Sequence, residues 1–258
     1  MITLKHPEQI SRMREAGALL WEVLQATAKL VRPGITTWEL DAFAEDMIRS
    51  RGASPSFLGY EGYPATLCTS ADDAVVHGIP SREQKLREGE ILSIDCGLCL
   101  NGWQADSALT VPVGAISAEK RRLIDVTEQC FFAGAKLAVE GRRLGDIGHA
   151  VQQLAEAGGF GVVRDLTGHG IGREMHEEPS IYNIGRPGHG LRLRSGMTIA
   201  LEPMITMGDW HVDADDDGWC FRTRDGRPAA HYEHTLAILP DRPPELLTLP
   251  GHVWKEEA

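Results

Sequence analysis

Two aspartates on neighbouring β-rich segments are the first residues in this sequence whose types and spacing allow shared chemistry. Asp95 lies in a strand-like apolar run, Asp106 lies eleven residues later, and Asn101-Gly102 stands between them. Asn-Gly is the strongest short-range signal for a two-residue β-hairpin turn. Residues whose numbers sum to 203 then face each other, so Asp106 faces Gly97. Asp95 is its diagonal neighbour, roughly 7–8 Å away at the backbone. The pair either binds metal ions or consists of two unrelated surface residues, and the hairpin alone leaves both interpretations open.

Three further candidate ligands occur later in the chain in apolar or glycine-rich surroundings. His169 lies among glycines, Glu202 follows an apolar triplet, and Glu233 stands near the start of an apolar strand-like run. A buried carboxylate needs a partner, and four carboxylates with one histidine are hard to place in such sequence without a cation. Oxygen-dominated ligation with one imidazole suits Mn²⁺, Fe²⁺, Co²⁺ or Zn²⁺ and disfavours a purely thiolate site.

Two other histidines, His77 and His176, lie in comparable strings that contain glycine or proline. Each of them, taken alone, favours a structural role over a catalytic one. The string at His176 reads His-Glu-Glu-Pro-Ser, so it lacks the second histidine of the H-E-x-x-H zinc proteases.

Two patterns that suggest ion sites favour simpler interpretations. Cys96 and Cys99 form a C-x-x-C, but in a strand this odd spacing places the two thiols on opposite faces. The acidic run 213–218 opens like an EF-hand loop, yet its twelfth position is Arg224 instead of the bidentate glutamate. We therefore expect no thiolate site at the cysteines and a solvated turn at the acidic run.

The elements that must position these residues predict one α+β domain over residues 1–258. Helix starts are indicated by Pro7 and by a capping box from Thr36 to Glu39, and a helix stop by Pro33-Gly34. Helices are predicted over 7–31, 37–51, 117–139 and 144–157. Strands are predicted over 65–70, 74–78, 90–100, 103–113, 161–166, 195–207, 219–223 and 229–239. The order helix, helix, strands thus occurs twice without a Pro/Gly/Ser-rich linker, which favours one domain over two.

Composition is that of an ordinary globular protein, with 42% hydrophobic and 24% charged residues. No apolar run approaches the roughly 18 residues of a membrane span, and the N-terminal segment lacks the apolar core of a signal peptide. A net charge of −11 disfavours nucleic acid as a partner. Five cysteines, an odd number, disfavour a disulfide framework. We therefore expect a cytoplasmic protein that binds neither nucleic acid nor membranes.

Together the motifs resemble those of the type I methionine aminopeptidases, a branch of the pita-bread metallopeptidases. The matching strings are His77-Gly78-Ile79-Pro80, the pair Asp95 and Asp106, Gly168-His169-Gly170-Ile171-Gly172, His176-Glu177-Glu178-Pro179, Glu202-Pro203-Met204 and Tyr232-Glu233-His234. They occur in the family's order and cover about residues 7–240. The resemblance implies a pita-bread fold with similar halves at about 7–113 and 117–240. Such a fold has a central antiparallel sheet with helices on its outer face.

The resemblance also implies a set of ligands and a reaction. Two divalent ions (Co, Mn, Fe, Zn or Ni) would be held, one by Asp95 and the other by His169 and Glu202, with Asp106 and Glu233 bridging both. The implied reaction is hydrolytic removal of the N-terminal methionine by metal-activated water, favouring a small second residue. The implied substrates are the N-termini of nascent polypeptides. The resemblance also implies a monomeric enzyme that contacts ribosomes transiently.

Roles for three residues outside simple ligation follow from the same resemblance. His77 would contact the substrate near the scissile amide, and His176 would steady the carbonyl oxygen as it becomes an oxyanion. Glu202 would also shuttle the proton from the water to the leaving amine.

The methionine pocket implied by the resemblance is a small apolar cavity with a polarizable lining. Its wall would consist of Phe57, Tyr60, Tyr63, Cys68 and Trp219. The sequence departs from the common pattern at several positions without losing a ligand. These departures are Phe57 for a smaller residue, Glu61 for His, Asp72 for Asn, Gly97 for Thr and Met175 for Phe.

Two alternatives compete with this interpretation. A proline-specific peptidase of the same fold usually carries a large N-terminal domain, for which the residues before Pro7 leave no room. A non-catalytic pita-bread module that only binds peptides typically lacks metal ligands, whereas all five are present here. We therefore expect a methionine-specific enzyme.

Overall fold

The computed structural model describes residues 2–254, which form four helices and a set of short and long strands. The helices are α1 (Pro7–Ala28), α2 (Thr37–Ser50), α3 (Ala118–Ala135) and α4 (Leu144–Ala157), with a 3₁₀ turn at Tyr60–Gly62. The strands are β1 (Ser54–Pro55), β2 (Leu67–Ala71), β3 (Ala74–Val76), β4 (Ile91–Leu100), β5 (Trp103–Pro112), β6 (Gly161–Val162), β7 (Gly168–Gly170), β8 (Glu177–Ile181), β9 (Thr198–Leu201), β10 (Met204–Thr206), β11 (Val212–Ala214), β12 (Phe221–Thr223), β13 (Ala229–His231), β14 (Glu233–Ala237) and β15 (Glu245–Leu246). The α+β class predicted from the sequence is confirmed.

The helix starts follow the predicted capping signals. At α2 the Thr36 hydroxyl accepts from the Glu39 N–H at 3.2 Å, and the Glu39 carboxylate accepts from the Thr36 N–H at 2.8 Å. This reciprocal pairing satisfies two N–H groups that the helix itself leaves unpaired. The predicted C-terminal ends of α1 and α3 were each a few residues too long, because the chain leaves the helix in a tighter turn. The Leu30 N–H, for example, bonds to the Thr27 carbonyl three residues back.

The largest sheet carries the hairpin that the Asn-Gly turn predicted. β4 and β5 pair antiparallel, with Asp106 opposite Gly97 and Asp95 opposite Ala108, and this confirms the predicted register. Both turn residues have positive φ, 52° at Asn101 and 75° at Gly102. Such angles belong to the type I′ turn, whose twist matches that of the flanking strands.

Nine strands make up this sheet, and its main path runs β1-β4-β5-β14-β9-β7-β8. β14, near the end of the chain, pairs directly with β5, so the early hairpin and the late strands share one sheet. β2 pairs with β4 and β15 with β14 beside this path. Two further sheets of three strands have the orders β13-β10-β6 and β11-β12-β3.

One face of the β4–β5 hairpin is apolar and packs against α1 and α2. Its buried residues belong to a cluster that also takes in the inner faces of both helices: Leu20, Leu24, Leu40, Ile48, Leu92, Ile94, Cys96, Ala105 and Leu109. Because side chains alternate along a strand, Asp95 and Asp106 point to the opposite face. The hairpin therefore separates the helical layer from the carboxylates.

Several strand predictions needed correction. The predicted strand over 195–207 is two strands, β9 and β10, because Glu202 and Pro203 interrupt the pairing. Trp219 lies before β12 instead of within it. The short strands β1, β7, β8, β11 and β15 were not predicted. The prediction of one domain with two similar halves at about 7–113 and 117–240 stays a prediction.

The structure shows the surroundings of the C-x-x-C cysteines and of the acidic run. Cys96 is buried in the core while Cys99 is half-buried on the other side of the strand, and both are free thiols. The acidic run forms the turn between β11 and β12, where Asp215 pairs with Arg222 at 2.6 Å and Asp213 with Arg224 at 2.7 Å. No helix within residues 2–254 is long and apolar enough to cross a membrane.

Candidate metal centre and substrate pocket

A cavity of about 200 Å³ opens on the polar face of the large sheet. All twelve residues predicted to form the site line it: Phe57, Tyr60, Tyr63, Cys68, His77, Asp95, Asp106, His169, His176, Glu202, Trp219 and Glu233. Residues that are widely separated in sequence are thus brought into one place.

Five neighbouring strands of the sheet supply the predicted ligands, one from each strand or its end. Asp95 lies on β4, Asp106 on β5, Glu233 on β14, Glu202 directly after β9, and His169 on β7. Ala108 pairs with both Asp95 and Glu233, so these two carboxylates stand in one row across the sheet. Residues in register on neighbouring strands share a face, which is why the five side chains converge.

Distances between the ligand atoms are those of donors around a common point. The Nε2 of His169 lies 3.5 Å from Asp106 Oδ2 and 3.8 Å from Glu202 Oε1. Side-chain atoms of Asp106, His169 and Glu233 all lie within 4.8 Å of one another. The Nδ1 of His169 lies 2.8 Å from the carbonyl oxygen of Gly170, and a donated hydrogen bond there fixes the ring and leaves Nε2 to face the carboxylates.

The carboxylates are crowded and buried, and their ion-pair partners among residues 2–254 are histidines, not lysines or arginines. The pKa values of Asp95 and Glu233 are both raised well above the usual range, first by burial and then by the charge of Asp106. Burial alone would lower the pKa of His169, but the Asp106 and Glu202 carboxylates outweigh it and raise that pKa. These shifts indicate a site that has excess negative charge.

A bound cation would balance this excess negative charge. Within residues 2–254, the buried oxygens Asp95 Oδ1, Asp106 Oδ1 and Glu233 Oε1 have no hydrogen-bond partner. Buried polar atoms without partners are rare and call for an ion or another ligand. A set of four carboxylates and one imidazole is suited to a divalent ion of the first transition series.

His77 and His176 both stand on the wall of the cavity that holds the carboxylates. His77 adopts a left-handed backbone with φ of 58°, and its ring packs edge-on against Phe221 at 6.1 Å. Burial lowers the pKa of His77, which favours a neutral ring. His176 lies at the rim, with its ring 4.3 Å from that of His169 and its Nδ1 at 2.8 Å from the Tyr60 hydroxyl.

The apolar part of the cavity is formed by the predicted pocket wall. The rings of Tyr63 and Trp219 meet edge-to-face at 5.1 Å, and the Tyr63 hydroxyl donates to the Leu67 carbonyl at 2.9 Å. Tyr63 and Cys68 are buried, and burial raises the pKa of each. Both side chains are therefore neutral and present an apolar, polarizable surface.

Three of the sequence departures, at positions 57, 97 and 175, are structurally connected. A Cβ atom at position 97 would lie 2.8 Å from Phe57 Cε1, too close for a real contact, and 3.0 Å from Met175 Cε, tighter than most real contacts. The absence of a side chain at position 97 thus makes room for the large Phe57 and for Met175. Of these three residues, Phe57 is the one that lines the cavity.

Some residues of the site were not predicted from the sequence. Glu61, Val76, Leu166, Thr167 and Met204 also line the cavity. His231 is fully buried behind the carboxylates, with Nε2 3.6 Å from Glu202 Oε2 and 3.8 Å from Glu233 Oε2. His231 belongs to β13, in the sheet β13-β10-β6, whereas Glu233 begins β14 of the large sheet, so no local sequence signal marks His231 as part of the site.

Sequence comparison places the chain in a class of enzymes that fits this site. A model of metallopeptidase family M24 matches residues 11–240, and the chain therefore belongs to that family. This membership confirms the predicted metal-dependent hydrolase and implies binding of divalent metal.

Within the family, the chain is most like the aminopeptidase branch. It is 52% identical to a methionine aminopeptidase of Clostridium perfringens over 249 residues, which are 96% of this chain and 99% of that protein. The crystal structure of methionine aminopeptidase from Rickettsia prowazekii matches with a TM-score of 0.94 at 40% identity, covering 96% of this chain and 100% of that one. Prolidase from Pyrococcus furiosus, at 19% identity and a TM-score of 0.75, shares the fold alone. The pita-bread fold and the resemblance inferred from the motifs are confirmed.

Proposed function

We propose that this protein removes the N-terminal methionine from nascent polypeptides, favouring a small second residue, with water activated by two divalent ions. The observation that carries the proposal is the convergence of four carboxylates and one imidazole in a cavity whose remaining wall is apolar. When bound, a pair of such ions lowers the pKa of a shared water and polarises the scissile carbonyl. Co²⁺, Mn²⁺, Fe²⁺, Zn²⁺ and Ni²⁺ are all compatible with the donor set.

The five donors divide into three roles in this proposal. Asp95 would hold one ion, His169 and Glu202 would hold the other, and Asp106 and Glu233 would contribute to both. The short separation of Asp106 and His169 supports a shared ion, since 3.5 Å is longer than a hydrogen bond and typical of two ligands of one metal. Four carboxylates against two divalent ions bring the site close to electrical neutrality.

Residues beside the ions transfer the proton and stabilise the charge that develops on the carbonyl oxygen. Glu202 accepts a proton from the attacking water and returns it to the leaving amine, which is general acid–base catalysis. His176 donates through Nε2–H to the carbonyl oxygen as that oxygen gains charge. The Tyr60 hydroxyl donates to His176 Nδ1 and so fixes the tautomer that leaves Nε2–H free. His77 binds the substrate near the scissile amide.

The apolar wall selects the first residue of the substrate. Phe57, Tyr60, Tyr63, Cys68 and Trp219 offer aromatic and sulfur surface to a flexible thioether side chain, which such surface binds well. The protein acts in the cytoplasm as a monomer, in transient contact with ribosomes and without binding nucleic acid itself.

A comparison of two peptides tests the specificity. Purified protein is given Met-Ala-Ser or an Ala-Pro peptide of equal length in Mn²⁺ or Co²⁺, and kcat/KM is measured for each. We expect Met-Ala-Ser to be preferred by at least about 100-fold, in line with what side-chain pockets can discriminate. Preference for the Ala-Pro peptide would indicate a proline-specific peptidase, and binding of both without turnover would indicate a non-catalytic module.

A further inference from the structure

His231 is a buried histidine that none of the roles above uses. It ends β13, two residues before Glu233, and only 1% of its surface is exposed. Its backbone is held on both sides by Thr110, whose hydroxyl accepts from the His231 N–H at 3.0 Å and donates to its carbonyl at 2.8 Å. These two hydrogen bonds hold the backbone of His231 in place and so restrict the position of its ring.

The ring itself has no hydrogen-bond partner at either nitrogen among residues 2–254. A histidine that serves only the core is normally satisfied, and the chain offers a direct comparison in His234. That ring is equally buried, yet its Nδ1 contacts the Ser107 and Thr248 hydroxyls at 3.0 and 2.9 Å and its Nε2 the Tyr232 hydroxyl at 3.2 Å. His234 is therefore explained by structure alone, whereas His231 is not.

The surroundings of His231 match those of the predicted ligand His169. His231 Nε2 lies 3.6 Å from Glu202 Oε2 and 3.8 Å from Glu233 Oε2. His169 Nε2 lies 3.5 and 3.8 Å from its two carboxylates. Glu202 thus has one oxygen towards each imidazole. These separations exceed hydrogen-bond lengths, so neither carboxylate satisfies the His231 ring, and the spacing of His231 and Glu233 suits two donors to one ion.

Two groups of donors follow from this arrangement. Asp106, His169 and Glu233 form one, and Asp95, His231 and Glu233 form the other, each with its ligand atoms within 4.8 Å of one another. Each group contains two carboxylates and one imidazole, and Glu233 belongs to both. The second group surrounds the ion of Asp95, for which the sequence predicted oxygen donors only.

We propose that His231 is a sixth metal ligand, which gives the ion held by Asp95 and Glu233 a nitrogen donor. This inference rests on the proposed dinuclear centre and adds a ligand to it. An imidazole favours Co²⁺, Ni²⁺ and Zn²⁺ over Mn²⁺ at that position.

Calorimetric titration of the metal-free protein with Co²⁺ tests the assignment. His231→Gln keeps a polar side chain but removes the imidazole, and His189→Gln, on an exposed loop, is the matched control. We expect two equivalents of Co²⁺ in the wild type and the control. In His231→Gln the second equivalent weakens at least about 10-fold, the lower end of the loss seen when even an outer partner of a ligand is removed. Unchanged binding of both equivalents by a folded His231→Gln would overturn the assignment.

Nuclear magnetic resonance of the wild type provides a second measurement that does not depend on the variant folding. Protein with ¹⁵N-labelled histidine is loaded with two equivalents of Zn²⁺. We expect ring nitrogens of two histidines to shift to metal-bound positions, and a shift of one alone would overturn the role of His231. A wild type that takes up no divalent ion would overturn the proposed function, whereas uptake of two ions with a single bound histidine refutes only the sixth ligand.

Discussion

The imidazole of His169 lies 3.5 Å from the carboxylate of Asp106, although α3 and α4 separate the two residues in sequence. Strand β14 brings them together, because it pairs with β5 on one side and with β9, the neighbour of β7, on the other. The site therefore exists only when the whole sheet is assembled.

Asp106→Ala tests whether this carboxylate is shared by both ions. Since it removes one donor from each, we expect kcat/KM for Met-Ala-Ser to fall by more than about 100-fold, beyond the effect of losing an outer partner. Asp213→Ala is the control, because Asp213 is exposed and pairs with Arg224 in the acidic turn away from the cavity. Near-normal turnover by Asp106→Ala would contradict the bridging role.

Asp95→Asn should raise the Tm of the metal-free protein and reduce the further gain of Tm on metal binding. In the metal-free protein, Asp95 is a buried carboxylate facing others, so its replacement by a neutral amide should raise Tm. The wild type should gain several degrees of Tm from saturating Co²⁺ because the ion binds the folded state, and Asp95→Asn should gain less. Thermal melts with and without metal measure both effects, and an equal gain in the two proteins would refute Asp95 as a ligand.

Gly97 and Phe57 should behave as a coupled pair. Gly97→Thr alone places a side chain against Phe57 and Met175 and should cost about 1–3 kcal/mol by overpacking. Combining it with Phe57→Ala opens space, so the double variant should recover part of that loss. A double-mutant cycle by denaturant unfolding measures the coupling, which we expect to exceed about 0.5 kcal/mol. Strict additivity would show that the two departures are independent.

Lys5 and Glu177 form an ion pair that ties the segment before α1 to β8. Their charged atoms lie 2.5 Å apart, and the Lys5 side chain is only 2% exposed. Lys5→Ala leaves a partly buried carboxylate unpaired and should lower the free energy of unfolding by about 3 kcal/mol. Arg49→Ala breaks the exposed pair with Glu45 and should cost no more than about 0.5 kcal/mol. Equal losses in the two variants would contradict this ranking.

Sequence signals correctly predicted the features that depend on interactions between residues close together in the chain. The Asn101-Gly102 turn fixes the register of β4 and β5, and with it the diagonal placement of Asp95 and Asp106. The capping box at Thr36 likewise fixes the start of α2. In both cases a few adjacent residues decide the structure.

Other parts depend on pairing between distant segments and were missed. β7 has only three residues, two of them glycine, and it is a strand because β8 and β9 pair with it on either side. The ring of His231 lacks any motif of its own, and only the meeting of β13 with the strands around it places that ring beside Glu202 and Glu233. Such residues can be identified as part of the site only when the fold is known.

Turnover of Met-Ala-Ser before and after metal removal shows whether hydrolysis depends on divalent ions. In the proposed function, side chains from five strands or their ends bind these ions. We predict that protein dialysed against chelator loses its activity while remaining folded, and that added Mn²⁺ or Co²⁺ restores it. Full turnover in the continued presence of chelator would contradict the account.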